Sequence, residues 1–212
     1  MSSSLNFNRL KNAKSLYLRQ HQDNPIHWWT YGPEALEYAQ KNNKPIFLSI
    51  GYSSCHWCHV MAHESFSNDE VAKFLNDNFV AIKVDREEFP DIDNYYQKAA
   101  QLFGSSGGWP LSAFLMPDTR PFYVGTYYPL TSKDNAPNFP ALIMELKRAY
   151  DHEKEQVEKN AVQVTEAIKK GSIPPGDVQF EGHFPHPNGI LEAVKEFRDT
   201  TWGGYGLSLI HI

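Results

Sequence analysis

Two cysteines are the whole thiol inventory of this 212-residue chain, and they stand three apart in Cys55-His-Trp-Cys-His59. The string follows a short apolar run, Ile46-Phe-Leu-Ser-Ile50, closed by Gly51-Tyr-Ser-Ser54, and leads into Val60-Met-Ala-His-Glu64, which holds no helix breaker. A strand that stops and a helix that starts here would set Cys55 at a helix N-terminus, where unpaired backbone N–H groups and the macrodipole favour a thiolate. Cys55 is then the nucleophile, and Cys58, one turn on, is placed to resolve a mixed disulfide. A protonated His56 would lower the Cys55 pKa further, and Trp57 can cover the pair. The chemistry implied is thiol–disulfide exchange.

Three other readings share these letters. Cys55-His-Trp-Cys-His59 is also the C-x-x-C-H pattern of c-type haem attachment, but that chemistry goes with export and a small helical domain, and here the motif follows a strand-like run. Cys55, Cys58, His59 and His63 are all zinc-ligand types, with the two histidines at i, i+4 on one helix face. Zinc sites ordinarily draw their second ligand pair from another element, whereas these four fall within nine residues. Two cysteines that merely fill space in a core are the last alternative.

The elements that must position the pair can be read from pattern. Residues 1–44 form an N-terminal extension with a lead-in helix, Pro33–Gln40, in which Pro33 suits the first turn. Ile46–Ile50 has the composition of a strand buried on both faces. Asn68 or Asp69 can cap a helix whose Val71, Phe74 and Leu75 share a face. Phe79-Val-Ala-Ile-Lys-Val-Asp85 is a second strand, and Ile92–Phe103 a helix through Tyr95, Tyr96, Ala99 and Phe103. Gly104-Ser-Ser-Gly-Gly-Trp-Pro110 punctuates, and Leu111–Met116 and Phe122–Thr126 make a tight antiparallel hairpin around Pro117–Pro121. One long amphipathic helix is predicted over 139–170, stopped by Gly171 and Pro174-Pro175-Gly176.

Composition limits the function classes. The chain carries 20 Lys+Arg against 25 Asp+Glu, a formal charge of −5, which argues against a basic nucleic-acid binder. A hydrophobic fraction of 41% and 14% aromatic residues supply a core. The longest apolar runs are far short of the ~20 residues needed to span a bilayer. Nothing at the N-terminus reads as a secretory signal, so a cytoplasmic, reducing location is expected. The expected partner is a protein or small-molecule disulfide, with no nucleic acid, membrane, cofactor or metal.

The order strand, C-x-x-C, helix, then helix, strand, helix, then a loop ending at Pro110, a hairpin and a last helix is the thioredoxin topology. The fold class is therefore α/β: a thioredoxin-like central mixed β-sheet flanked by helices, with an N-terminal extension and a long C-terminal helix. In that topology a cis-proline lies beside the cysteines, so Gly108, Trp109 and Pro110 would shape the substrate groove. A trans proline opening a strand is the alternative.

Several blocks carry a more specific likeness: Gly51–Met61, Glu64-Ser-Phe66, Lys83–Glu88 with Pro90, Asp91 and Asp93, and Gly107-Gly-Trp-Pro110. It extends back through Ser15, Tyr17-Leu18, His21 and Asn24-Pro25, and forward to Gly125–Pro129. Over about residues 8–170 the chain resembles the thioredoxin domain of the spermatogenesis-associated protein 20 family, the DUF255 group. The resemblance implies a thioredoxin-like domain over 45–170 and a thiol–disulfide role. Family members usually continue into an α/α-toroid domain like that of six-hairpin glycosidases. A linker over 171–189 and the start of such a toroid over 190–206 are expected on that ground. The alternative function is then a non-catalytic binding or regulatory module attached to a sugar-processing toroid. Residues 207–212 match the translation of a common transposase sequencing adapter, so a non-native tail on a truncated chain is expected there. An uninterrupted natural gene encoding the tail would refute this.

One departure bears on mechanism. Six residues before the nucleophilic cysteine, thioredoxins carry a buried Asp that helps move the resolving thiol's proton; here that position is Ser49. Either a different base serves, with His56, His59, Glu64 and Asp85 as candidates, or the pair is a slow or specialised reductant. The Lys83–Glu88 segment reads first as strand-end solvation and helix capping, with lining of the site as its alternative.

Overall fold

The computed structural model describes residues 7–132 and 137–172. The expected toroid start at 190–206, the tail at 207–212 and all of the 171–189 linker past Ser172 lie outside them. The described residues fall within one unit, Met1–Ser172.

After a 3-10 turn at Leu10–Asn12, the elements in chain order are α1 (Leu16–Arg19), β1 (Trp29–Thr30), α2 (Pro33–Lys41), β2 (Ile46–Gly51), α3 (His56–Glu64), α4 (Asp69–Asn78), β3 (Val80–Asp85), α5 (Pro90–Leu102), β4 (Leu111–Leu115), β5 (Pro121–Gly125), α6 (Phe139–His152) and α7 (Lys154–Ser172). The sheet order is β1-β3-β2-β4-β5. β1 and β2 run parallel to β3, while β4 runs antiparallel to both β2 and β5. This is a thioredoxin-like mixed sheet.

β2 sits at its centre with every residue buried, as its largely apolar composition favours. Alternation along the strands divides the core in two. Ile46, Leu48 and Ile50 join Val80, Ile82 and Val84 on one face, packed against α2, α5 and the end of α7. Phe47, Ala81 and Phe114 lie on the other, beneath α3, α4 and α6. Ser49, Gly51, Lys83 and Asp85 have the parity of that second face, the one that carries the cysteines.

Three local signals decide boundaries. Pro33 and Pro90 open α2 and α5, where a missing N–H costs nothing. Asn68 caps α4, its side chain accepting from the Glu70 and Val71 amides at 3.0 Å each.

Three features differ from the sequence reading. The N-terminal extension contributes more to the core than Trp28 and Trp29, whose sequence reading is core or lid: Leu10, Tyr17 and Ile26 are fully buried with Trp28, and Trp29 begins an edge strand. The single helix predicted over 139–170 is two helices, broken at Glu153 (φ −123°, ψ 35°). A straight helix of that length would run ~48 Å; the break instead lets α7 cross the fold, with Val157 and Ala161 in one core cluster and Ile168 in the other. Lys83, read as a solvated strand end, is fully buried.

Candidate functional site

Cys55 is the N-cap of α3, in extended backbone (φ −74°, ψ 109°), and its sulfur accepts from the Cys58 amide at 3.2 Å. The β2 strand ends at Gly51, the Cys55 amide bonds back to the Tyr52 carbonyl at 3.2 Å, and the helix starts at once. Cys55 and Cys58 are joined, with an S–S distance of 2.09 Å and a Cα–Cα distance of 5.3 Å. Both are buried.

His56 and Trp57 project outward on the first turn. Trp57 is 51% exposed, and its ring lies 5.4 Å from that of His56 and 4.8 Å from that of Tyr127. Tyr127 in turn donates to Glu64 Oε2 at 2.8 Å. Burial, then the hydrogen bond to Glu64, push the Tyr127 hydroxyl up to about 12. Glu64 closes α3, nine residues and so ~13 Å along the axis from Cys55. His59 Nε2 lies 2.8 Å from the Ser53 carbonyl oxygen, tying the first turn of α3 to the loop before it.

The Trp109–Pro110 peptide is cis. Strand register pairs Ile50 with Leu111, so the proline stands at the end of β2 where the chain turns toward Cys55. The loop is held from α5, whose Asp93 and Gln97 are one turn apart. Gln97 clasps Gly108 from both sides, accepting from its amide at 3.0 Å and donating to its carbonyl at 3.1 Å. Buried Asp93 accepts the Trp109 indole N–H at 2.9 Å and pairs with Arg86 at 3.4 Å. The Arg86 guanidinium stacks 4.0 Å above the Trp109 ring, and Tyr52 meets that ring edge-on at 5.7 Å. Gly107 and Gly108 have φ of +81° and +128°, which a side chain would resist.

Behind the pair lies a polar interior. The Lys83 amine donates to Ser49 Oγ at 2.8 Å, and the rings of Tyr17, Phe66 and Trp28 surround it at 4.8, 4.9 and 5.4 Å. No carboxylate forms an ion pair with it among the described residues, and burial pushes the amine well below the usual lysine range. Asp85, at the end of β3, accepts from the Ser15 hydroxyl at 2.5 Å and from the Glu87 amide at 2.9 Å. Tyr17 is fully buried, and its hydroxyl has no hydrogen-bond partner among the described residues. Burial, and behind it Asp85, raise its pKa above the usual tyrosine range.

The structure thus gathers Cys55, Cys58, His56 and Trp57 on one turn, and Gly108, Trp109 and Pro110 at the same end of the sheet. Asp85 faces the interior behind them, and Glu64 sits apart at the far end of α3. Sequence reading missed Tyr17 and Gln97 as contributors, and held lining of the site only as the alternative for the segment that carries Lys83 and Arg86. The Asp93/Gln97 spacing of four on a helix was a usable signal; nothing local announces Tyr17. His21, His59 and His63 border a cavity of about 210 Å³. Among the described residues no group of three or more His, Cys, Asp or Glu side chains is arranged to hold a metal ion.

A family model described as "Protein of unknown function, DUF255" matches residues 7–169. Spermatogenesis-associated protein 20 of Rattus norvegicus is 42% identical over 200 residues, covering 93% of this chain and 25% of that protein. The Homo sapiens protein of the same name is 40% identical over 200 residues, with the same coverage. An uncharacterized protein of Caenorhabditis elegans is 42% identical over 203 residues, covering 94% of this chain and 27% of that protein. The chain therefore spans about a quarter of the length of these relatives. Among solved structures, a DsbH oxidoreductase is 19% identical with a TM-score of 0.46, covering 60% of this chain and 85% of that one. A thioredoxin from Thermus thermophilus is 21% identical with a TM-score of 0.41, covering 58% and 86%.

Proposed function

The chain belongs to the DUF255 family, and from the geometry of its cysteine pair we propose that residues 7–172 form a thiol–disulfide oxidoreductase module. The observation that carries the reading is the joined Cys55–Cys58 pair at the N-terminus of α3, at the same end of the sheet as the cis Trp109–Pro110 loop. In the reducing direction the Cys55 thiolate attacks a substrate disulfide, forming a mixed disulfide and releasing one substrate thiolate, which takes up a proton. Cys58 then loses its proton and attacks the Cys55 sulfur. The second substrate thiol leaves, and the module ends with the Cys55–Cys58 bond seen here. Two electrons pass from the cysteine pair to the substrate.

The surroundings suit each step. The N-terminal amides of α3 stabilise a thiolate at Cys55, and the Cys58 amide already points at its sulfur. Trp57, Tyr127, Tyr52 and Trp109 offer partly exposed aromatic surface around the motif, suited to an extended protein disulfide or a small disulfide. A cytoplasmic location and a C-terminal toroid in the full-length protein complete the proposal. No helix among the described residues is long and apolar enough to cross a membrane.

Cys58→Ser tests the mechanism directly. It should leave a mixed disulfide trapped on Cys55, recoverable with its substrate under non-reducing conditions. Alkylation mass spectrometry of the unmodified protein should find one intramolecular disulfide under mild oxidant and two free thiols after reduction. If no Cys55–Cys58 disulfide forms, the redox reading fails and the non-catalytic module replaces it.

A further inference from the structure

Gly51 marks a point where two side chains from distant parts of the chain converge. A Cβ built there would overlap Tyr17 Oη and stand 2.7 Å from Cys58 Sγ, so the phenol oxygen and the resolving sulfur border the same small volume. Tyr17 is anchored for this. Ser15 caps its helical turn by accepting from the Leu18 amide at 3.1 Å and donates to Asp85 at 2.5 Å. The Tyr17 ring meets His21 edge-on at 5.0 Å and lies 4.8 Å from the Lys83 amine. Yet its hydroxyl, sealed from solvent, makes no hydrogen bond in the disulfide form among the described residues. Buried hydroxyls are almost always satisfied, and one left over calls for a reason.

We propose that the Tyr17 hydroxyl is the hydrogen-bond partner of the Cys58 sulfur in the reduced protein, and that it thereby favours the dithiol over the disulfide. The inference rests on the thiol–disulfide reading above and adds the residue that tunes it. A disulfide sulfur is a poor acceptor, so the oxidised state leaves the phenol unsatisfied. A thiol can donate to Oη, and a thiolate accepts from it more strongly. The contact therefore strengthens in only one of the two redox states. Ser49, where thioredoxins place a buried acid, leaves this interior without a carboxylate at that position.

The test is an equilibrium with glutathione on the whole chain. The Cys55–Cys58 bond breaks, two glutathione sulfurs join, and the two glutathione thiol protons end on Cys55 and Cys58. Tyr17→Phe removes one oxygen and keeps the ring contacts. Loss of one hydrogen bond specific to the reduced state predicts an equilibrium about tenfold more in favour of the disulfide, a potential ~30 mV more negative. The melting temperature supplies a second reading: the variant's reduced form should lose stability while its oxidised form holds or gains. An unchanged potential, or a shift toward the dithiol, overturns the proposal and leaves the oxidoreductase reading intact. Absence of any Cys55–Cys58 disulfide in the unmodified protein would instead remove both.

Discussion

Lys83→Met should flatten the alkaline limb of the stability curve. Lys83 lies at the middle of β3 with no exposure, and its ammonium form would have three N–H donors against one acceptor, Ser49 Oγ. Three rings within 5.4 Å favour the charged form, each by roughly 0.5–2 kcal/mol when desolvated. Taking an ion out of water costs several kcal/mol, and no carboxylate among the described residues pairs with it to repay that. Burial wins, and the amine's pKa falls well below its ordinary value.

The sign follows from linkage. Between the depressed folded pKa and the unfolded value of ~10.4, the unfolded chain binds a proton that the folded protein does not. Stability therefore rises with pH in that window, by up to ~1.4 kcal/mol per unit, and the effect ends above ~10.4 where both states are neutral. Below the folded pKa both states are protonated and the penalty is constant. Methionine has a similar length and no charge, so the variant lacks this slope. Across that window the wild type should gain stability relative to Lys83→Met, by up to ~1.4 kcal/mol per pH unit. At neutral pH the variant should match or exceed the wild type, because the removed penalty offsets the ~1 kcal/mol lost when Ser49 loses its donor. Urea unfolding followed by tryptophan fluorescence measures this, on oxidised protein so that the thiols do not titrate. Parallel pH profiles for the two proteins would refute the reasoning and mean that the buried amine keeps its proton.

Three further outcomes follow from neighbouring residues. Gly51→Ala would push a methyl group onto Tyr17 Oη and Cys58 Sγ, so urea unfolding should find the oxidised protein destabilised by about 1–3 kcal/mol. Gln97→Ala removes both bonds to Gly108; hydrogen exchange at the Gly108 amide should accelerate, with ~1–3 kcal/mol of stability lost. His21 is buried, and desolvation first, then Lys83, hold its pKa well below the usual histidine value. As pH falls below ~6.5 the unfolded chain takes up a proton that folded His21 refuses, so stability should drop by up to ~1.4 kcal/mol per unit, and His21→Gln should reduce that slope.

Much of the fold was legible because its signals are local. Ile46–Gly51 and Val80–Asp85 are largely apolar, β-branched-rich runs of strand length, Asn68 is a capping residue before an amphipathic segment, and Pro117–Pro121 is turn chemistry between two strands. The motif's place between strand and helix followed from the same reasoning. What escaped depends on contacts far apart in sequence. Two residues, Trp29–Thr30, are too few for a strand pattern, and only pairing with β3 makes them one. No proline or glycine marks the break at Glu153, beyond which Val157 and Ala161 enter one core cluster and Ile168 the other. Lys83 reads as a strand-end charge until Ser49 and the aromatic rings are known to enclose it.

The exchange of a buried acid for Ser49 changes what the interior can do to the resolving thiol. A carboxylate behind Cys58 would oppose formation of a second negative charge and could accept its proton. Ser49 does neither, and its parallel-strand partner Lys83 presents an amine that burial drives toward neutrality. A neutral amine and a phenol repel no thiolate, so deprotonation of Cys58 meets less electrostatic opposition here than beside a buried carboxylate. Asp85 is an acid on the same face, and it already accepts from Ser15 and the Glu87 amide. If Asp85 were nonetheless the proton acceptor, Asp85→Asn would slow mixed-disulfide resolution while Tyr17→Phe left that rate unchanged. Stopped-flow measurement of the two variants against a small disulfide separates a charge-driven proton transfer from one governed by the phenol.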